Sequence, residues 1–417
     1  MTPPPLMSSE SLTVATPRIG RNPLIFIFIT RLIDAMGFGI VMPVLPQLLL
    51  SMGEPDVAAA TRTGGILLVT YAVLQFFFGP VIGNLSDRFG RRPIILFSLF
   101  AFGVDYLLMG FAPTVAWLFI GRAVAGIAGA VYVPANAFVA DVTPPERRAQ
   151  AFGMVGSAFG LGFILGPGIG GLLGELGPRA PFFVAAALAG LNFLFGIFVL
   201  PESLPRERRR AFSWRRANPF GAVTMLRHHP GVMLYALAAV ACLVGTNVYP
   251  STWAFFMTAK FSWSSGMIGL SLVATGIAMA GAQAFLTGRL SKRIGELRTA
   301  IVGLSSAAAL ALAYAFITHA WMVFVLTFIG AVQAITFPAL NALMSQRVPA
   351  NAQGELQGGV ASLSSIANVV GPLVMTQTLA FFTAASAPLY FPGAAFVLAA
   401  AINLLGVMLL LSDRSRR

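Results

Sequence analysis

Twelve apolar runs of about twenty residues recur from one end of the chain to the other, and they constrain its fold more than any other feature. They fall at 24–48, 64–84, 93–112, 115–139, 148–172, 180–200, 230–256, 264–288, 297–317, 320–344, 354–378 and 389–411. Roughly 30 Å of hydrocarbon is crossed by about 20 helical residues at 1.5 Å each, so runs of this length read as transmembrane helices. Backbone exposed to lipid must satisfy its own hydrogen bonds, which makes the runs helical and the protein an all-α membrane bundle of twelve spans. Composition agrees: 57% of the residues are hydrophobic and 10% charged, which excludes a soluble globular domain.

A net charge of +13 raises the question of a nucleic-acid partner, and the placement of the charge answers it. Assigned to alternate sides of the twelve runs, 22 of the 27 Lys and Arg fall on one side, among them Arg18, Arg21, Arg147, Arg148, Arg347, Arg414, Arg416 and Arg417. Three, Arg62, Arg179 and Lys260, fall on the other side, and two, Arg31 and Arg122, lie inside runs. By the positive-inside rule the richer side is cytoplasmic. Both termini are then expected in the cytoplasm, the chain in the cytoplasmic (inner) membrane, and no nucleic acid as partner. No apolar leader precedes the first run, which is expected to serve as its own insertion signal. The lone Cys242, among Ala, Val and Leu, excludes an intramolecular disulfide and fits a packing role.

One connector is unlike its surroundings. GNLSDRFGRRP (83–93) sets Asp87, Arg88, Arg91, Arg92, Gly83 and Gly90 between two oily runs. The glycines are expected at tight turns, Pro93 in the first turn of the third helix, and Asp87 on a helix N-terminus or an arginine. Asp141, in ADVTPPERR, is a second acid for Arg91 or Arg92. A plain positive-inside anchor is the alternative; it accounts for the arginines but not for Asp87 or the glycines. A faded copy, GRLSKRIGE (288–296), repeats the connector at an offset of 205, with Lys292 in place of the acid. The same offset carries Asn136 onto Asn341, and Gly153, Ser157, Gly166 and Pro167 onto Gly358, Ser362, Gly371 and Pro372.

A constant ungapped offset makes the chain two homologous, pseudo-symmetric six-helix halves, residues 23–200 and 230–411. An Arg-rich cytoplasmic linker at 201–229 joins them, and cytoplasmic tails at 1–22 and 412–417 flank them. Two parallel halves facing each other define a transporter architecture with a site near the midplane between them, a channel or a membrane enzyme built by duplication being the alternative. The matched Gly-Pro pairs are expected to break the fifth and eleventh helices, their glycines letting helices approach and slide.

With these residues in view, the chain resembles the major facilitator superfamily. GNLSDRFGRRP is similar to the superfamily's loop motif and FIGRAVAGIAGA (119–130) to its helix-four motif. GFILGPGIGG (162–171), with Gly166, Pro167, Gly170 and Gly171, resembles the helix-five motif of drug:proton antiporters. LIDAMGFGIVMPVLPQLL (32–49) and FGVDYLLMGFA (102–112) resemble helices one and three of tetracycline efflux proteins. The resemblance implies the major facilitator fold and a proton-coupled secondary active transporter exporting a drug-like compound by alternating access. A uniporter or symporter of a metabolite or sugar on the same fold is the alternative. The implied partners are a small-molecule substrate and the lipid bilayer, and the implied unit is a monomer. No cofactor is implied; protons are the coupling ion, and a tetracycline-like substrate would travel as a divalent-metal chelate. Asp87 is implied to latch onto the start of helix eleven, near Gln353 to Gln357.

Two acids lie deep in the runs, Asp34 and Asp105. A carboxylate at bilayer depth is costly, and such residues usually face a cavity and serve proton or ion pathways. Asp34 sits about 15 Å along the first helix, near the midplane. It either couples protons or binds substrate, or it pairs with Arg31 on the same helix face, where the arginine would compete with the proton. Asp105 lies about 18 Å into the third helix and Arg122 about 10 Å into the fourth from the opposite side, so their depths nearly coincide. Their pair is either a structural salt bridge or, as the resemblance implies for the helix-four arginine, a relay that tunes proton release.

Helices one, four, seven and ten line the cavity in this fold. Phe38, Asn136, Asn247, Trp253, Gln283 and Asn341 are therefore candidates for substrate contact, or for hydrogen bonds between helices. Two positions depart from the resemblance: ionisable positions of tetracycline exporters in helices nine and eight become Ala307 and Met279. Coupling then falls to Asp34 and Asp105 alone, or the substrate differs. The sequence has no GxxxxGK[ST], HExxH, GxSxG with a His partner, or Cys/His cluster, so neither ATP drive, an enzyme nor a metal site is expected.

Overall fold

The structure, a computed structural model, describes residues 22–214, 230–349 and 352–412. The expected tails and the distal part of the linker, with Arg18, Arg21, Arg227 and Arg414 to Arg417, lie outside the described residues. Among the described residues, twelve helices are long and apolar enough to cross a membrane. The N-terminal half holds α1 (Leu24–Val41), α2 (Val57–Phe89), α3 (Arg91–Phe111), α4 (Val115–Val142), α5 (Pro145–Gly174) and α6 (Ala180–Val199). The C-terminal half holds α7 (Gly231–Phe261), α8 (Ser265–Phe285), α9 (Glu296–Ala315), α10 (Trp321–Ser345), α11 (Gln353–Thr383) and α12 (Ala394–Leu411). Large apolar side chains cover their outer faces, Phe198 at 85% exposure and Leu172 at 72% among them. Water would not tolerate such a surface; lipid does.

Packing follows the repeat. α1 lies along α5, and its counterpart α7 lies along α11. Across the boundary between halves α5 meets α8 and α2 meets α11, two contacts that the pseudo-symmetry exchanges.

The structure corrects three expectations about where helices end and break. The first run is split: α1 stops at Val41, and Leu45–Ser51 forms a separate short helix entered through prolines. The connector at 83–93 is mostly helix, because α2 continues to Phe89. Gly83 is therefore no turn; it lies inside α2, where an added Cβ would come 2.8 Å from Val133. Gly90 alone turns the chain, at φ 106°, and a Cβ there would also strike the Glu202 carboxylate.

The third correction concerns the Gly-Pro pairs. α5 and α11 run unbroken through Pro167 and Pro372, since a packed span tolerates the single lost backbone bond. The interruptions fall instead in α4 at 129–131, in α7 at Asn247, and in α10 at the 3-10 turn Ala331–Ile335. Each sits at or beside the carbonyl that Pro134, Pro250 or Pro338 leaves without its N–H partner four residues on. With α1, these are the helices expected to line the cavity.

Candidate substrate and coupling site

Between the halves lies a cavity of about 360 Å³. Arg31, Asp34 and Phe38 of α1, Tyr71 and Gln75 of α2 and Tyr132 of α4 form much of its N-terminal wall. α5 adds Phe159 and Phe163, and the opposite half contributes Asn247, Ser251 and Asn368. Asn247 Nδ2 donates to Asn368 Oδ1 at 3.3 Å, which ties α7 to α11 at this wall. The 205-residue offset carries Phe163 onto Asn368, so matched helix positions supply a ring on one side and an amide on the other.

One end of the cavity is closed. Gly64 lies against the Phe255 ring and Gly65 against Thr376, and Ser265 Oγ donates to Gln47. At the same edge Gly266 N donates to Glu175 Oε1 at 2.7 Å. With Ser264, that bond holds the Glu175 carboxyl below its usual range. At the other end the halves part. Gly153, Gly156 and Gly160 of α5 and Gly281 of α8 would find no neighbour within 4 Å of an added Cβ. This open end is the one that carries residues 83–93.

Arg31 Nη1 and Asp34 Oδ2 are 2.6 Å apart in the cavity wall, with 14% and 18% of their side chains exposed. They are the two charged side chains of the lining, and the Arg31 guanidinium lies 5.6 Å from the centre of the Phe159 ring. Asp105 and Arg122 form the expected pair deeper in the bundle, Asp105 fully buried. Gly121 makes room for it, since a Cβ there would stand 2.7 Å from Asp105 Oδ1. Arg122 also donates to Met109 Sδ at 2.9 Å and lies 5.8 Å from the centre of the Tyr71 ring. Gln75 Nε2 donates to the Tyr71 hydroxyl at 2.9 Å. Tyr71 thus stands between the buried pair and the cavity. Asp105 Oδ1 has no hydrogen-bond partner among the described residues.

At the open end Arg91 is a hub. Its guanidinium bonds Asp87 at 2.6 Å, Ser86 Oγ at 2.7 Å and Asp141 at 3.2 Å, the last as the sequence suggests. Arg92 donates to the Ile197 carbonyl at 2.6 Å, and Arg88 lies 5.1 Å from the Phe89 ring centre. The implied latch from Asp87 to α11 is not made. Gln353 is engaged with Ser345 and Val348, and Gln357 with Asn341, because the halves stand apart at this end. The sequence reading also missed the first part of the linker. Glu202 accepts from Arg91 N at 2.9 Å, Ser203 donates to Asp141 at 3.0 Å, and Asn84 donates to the Ser213 carbonyl at 2.7 Å. An acid placed directly after α6 was the available signal.

Of the six candidates for substrate contact, Phe38 and Asn247 line the cavity. Trp253 lines a smaller adjoining one with Phe38 and Arg122, and its Nε1 donates to Ser271 at 2.9 Å. Asn136 and Gln283 are exposed and outside the lining, because they lie beyond it toward the open end. Asn341 accepts from Gln357 at 3.2 Å and joins α10 to α11. Tyr71, Gln75, Tyr132 and Asn368 line the cavity unforeseen; amides inside apolar runs marked two of them. Ala307 is buried and Met279 half-buried, so neither position offers an ionisable group.

The helix-five motif is bare on two sides. A Cβ on Gly166 or Gly170 would strike the Met36 or Ile40 carbonyl of α1, and Pro167 packs on Gly39. A Cβ on Gly171 would come 2.7 Å from the Ser265 carbonyl and 3.0 Å from Gly269 Cα of α8.

The sequence matches the Major Facilitator Superfamily over residues 27–372 and again over residues 234–417. The chain belongs to this superfamily. It is 43% identical to the class C tetracycline resistance protein of Escherichia coli, over 86% of this chain and 90% of that one. With the class G protein of Vibrio anguillarum the identity is 39%, over 82% and 87%. A crystal structure of the nucleoside transporter NupG has a TM-score of 0.73, covering 94% of this chain and 98% of that one at 13% identity, which shows the shared fold. The chain is thus a multi-pass membrane transporter of the drug-exporting type and not an enzyme, with the twelve-span fold read from its sequence.

Proposed function

We propose that this superfamily member expels a tetracycline-type drug from the cytoplasm in exchange for protons, as a monomer, by alternating access. The observation that carries the reading is the Arg31–Asp34 pair in the wall of a cavity that lies between the halves and opens on the arginine-rich side. A carboxylate that one group at a time can satisfy makes proton and substrate exclude each other, which is the requirement of antiport. On this reading Asp34 takes up the proton that displaces the drug. Asp105 and Arg122 form a second titrating pair, joined to the cavity through Tyr71. The halves rock on the α5–α8 and α2–α11 contacts, and closure of the open end brings Asp87 to the start of α11.

The sidedness follows from the basic residues: the open end faces the cytoplasm, as do both termini and the linker. The bilayer and the drug are the partners, with neither a cofactor nor nucleic acid. The test uses everted membrane vesicles containing the full chain. A pH gradient should drive tetracycline uptake, and Asp34→Asn should abolish the driven part. Uptake that a protonophore leaves unchanged would sink the antiport.

A further inference from the structure

We infer that the membrane face of the C-terminal half carries a site for an anionic phospholipid. One acyl chain lies in a groove between α8 and α10, and the phosphate meets Arg289, Lys292 and Arg293. The site is separate from the cavity between the halves and does not depend on which compound is transported.

The groove encloses about 370 Å³ and is lined by apolar residues alone. Three alanines that pack together, Ala278 and Ala282 of α8 and Ala331 of α10, form its floor. Ile277 and Phe328, 55% and 58% exposed, flank an opening that is apolar throughout and suits lipid. Along α8 it runs from Ile277 to Leu286, about 14 Å of helix. Since α8 begins at Ser265 on the opposite side, that stretch reaches from near the midplane to the hydrocarbon edge on the arginine-rich side. Half of a core of roughly 30 Å is the depth of one leaflet, and so of one acyl chain. A transmembrane helix from a partner would need a face of full depth, which the groove does not offer.

The helix continues past Leu286 in register, since Leu286 N donates to Ala282 O and Leu290 N to Leu286 O, both at 2.8 Å. Steps of three and four residues then put Arg289, Lys292 and Arg293 on the face that carries Ala278, Ala282 and Leu286. Arg289 is folded back toward the groove. Its Nη1 donates to the Phe285 carbonyl at 2.8 Å, and its guanidinium lies 5.8 Å from the centre of the Phe285 ring. That bond uses one of its N–H donors and leaves the others for an anion. All three basic side chains are exposed, and none forms an ion pair among the described residues, not even with nearby Glu296. Unpaired cations at the mouth of an apolar groove one leaflet deep match a phosphate ester joined to a hydrocarbon tail. A neutral apolar solute would leave the cations unused, and a soluble anion would leave the groove empty. Ala331 is also the first residue of the 3-10 turn that interrupts α10, so the acyl chain lies against that break.

The experiment places the full chain in detergent micelles with equal amounts of phosphatidylglycerol and phosphatidylcholine of the same acyl chains. Native mass spectrometry then counts the lipid retained. Phosphatidylglycerol should be retained over phosphatidylcholine by at least about tenfold. Combining Arg289→Gln, Lys292→Gln and Arg293→Gln should abolish that preference. Gly281→Leu should abolish it with the cations intact. An added Cβ on Gly281 meets nothing within 4 Å, so the new side chain fills the groove and leaves the packing undisturbed. Arg206→Gln with Arg208→Gln, exposed cations of the linker, should retain the wild-type preference. Excess glycerol 3-phosphate should not displace the lipid. Equal retention of the two lipids, or a preference that survives Gly281→Leu, would overturn the site. So would an equal loss in the linker variant, or displacement by glycerol 3-phosphate; none of these outcomes touches the exporter reading.

Discussion

Under the 205-residue offset Arg122 falls on Thr327, Asp105 on Leu310 and Met109 on Tyr314. In the N-terminal half these positions hold a buried ion pair and its sulfur contact. In the C-terminal half the Tyr314 hydroxyl lies 2.8 Å from Thr327 Oγ1 and donates to the Val323 carbonyl at 3.2 Å. Rings surround it there: Trp253, Phe396 and Tyr249 stand 5.0, 5.9 and 6.1 Å away between centroids. Duplicated helices at one depth have thus acquired opposite chemistries. The N-terminal set can change its charge with a proton; the C-terminal set is a neutral, interlocked aromatic block. Ala307 and Met279 fit the same division, since both remove ionisable groups from the C-terminal half.

The division breaks most visibly at the buried pair. Asp105→Leu leaves Arg122 without its counter-charge and should cost about 3–5 kcal/mol, read as thermal unfolding in detergent. Adding Arg122→Thr, so that both positions copy the C-terminal half, should restore most of that stability while gradient-driven uptake stays lost. A double variant that transports with the wild-type dependence on the pH gradient would erase the distinction between halves. Tyr314→Phe sharpens it from the other side. The ring stays and one hydroxyl goes, so stability should fall by about 1 kcal/mol with the pH profile of uptake unmoved.

The smallest effect is expected where the halves meet at the closed edge. Glu175 has its carboxyl held low by bonds from Ser264 and Gly266, so the ionised form belongs to the closed contact. Its contribution is complete above the ordinary carboxylate range, about pH 4.3, and is lost as pH falls through the depressed value. Glu175→Gln should therefore slightly raise thiol labelling of a Gln47→Cys reporter at neutral pH. With Glu175 intact, equal labelling should be reached only in acid. Equal labelling at neutral pH would remove Glu175 from the closed edge.

Much of this architecture was legible in the sequence, for physical reasons. Run length reports span number because the bilayer has a fixed thickness, and the constant offset reports the two halves. Depth along a helix is linear in residue number, which is how Asp105 and Arg122 could be matched before any contact was known. Helix rotation is harder to read. A span that is apolar all round carries little periodicity, so nothing distinguished Asn247, which lines the cavity, from Gln283, which does not. The placing of Tyr71 between the buried pair and the cavity depends on three helices at once. The unmade latch of Asp87 depends on how far apart the halves stand at that end, which no single motif encodes.

The two bare faces of α5 have a consequence for motion. Gly162, Gly166 and Gly170 lie against α1 of their own half, and Gly168, Gly171 and Gly174 against α8 or the residues beside it. The two faces differ: against α1 the neighbours are backbone, Ala35 and the Pro167 ring, which have no rotamers to reset, whereas against α8 Val273 lies on Gly168 and Ile164 fills the gap at Gly276. The α1 face thus acts as a smooth bearing inside the N-terminal half, along which little volume is opened or trapped at any angle. The α2–α11 seam matches the α5–α8 one, because Thr376 likewise seats in the gap that Gly65 leaves. Turning at either seam between the halves must unseat a branched side chain, so the resistance to rocking is shared by both sides of the molecule and not concentrated on one.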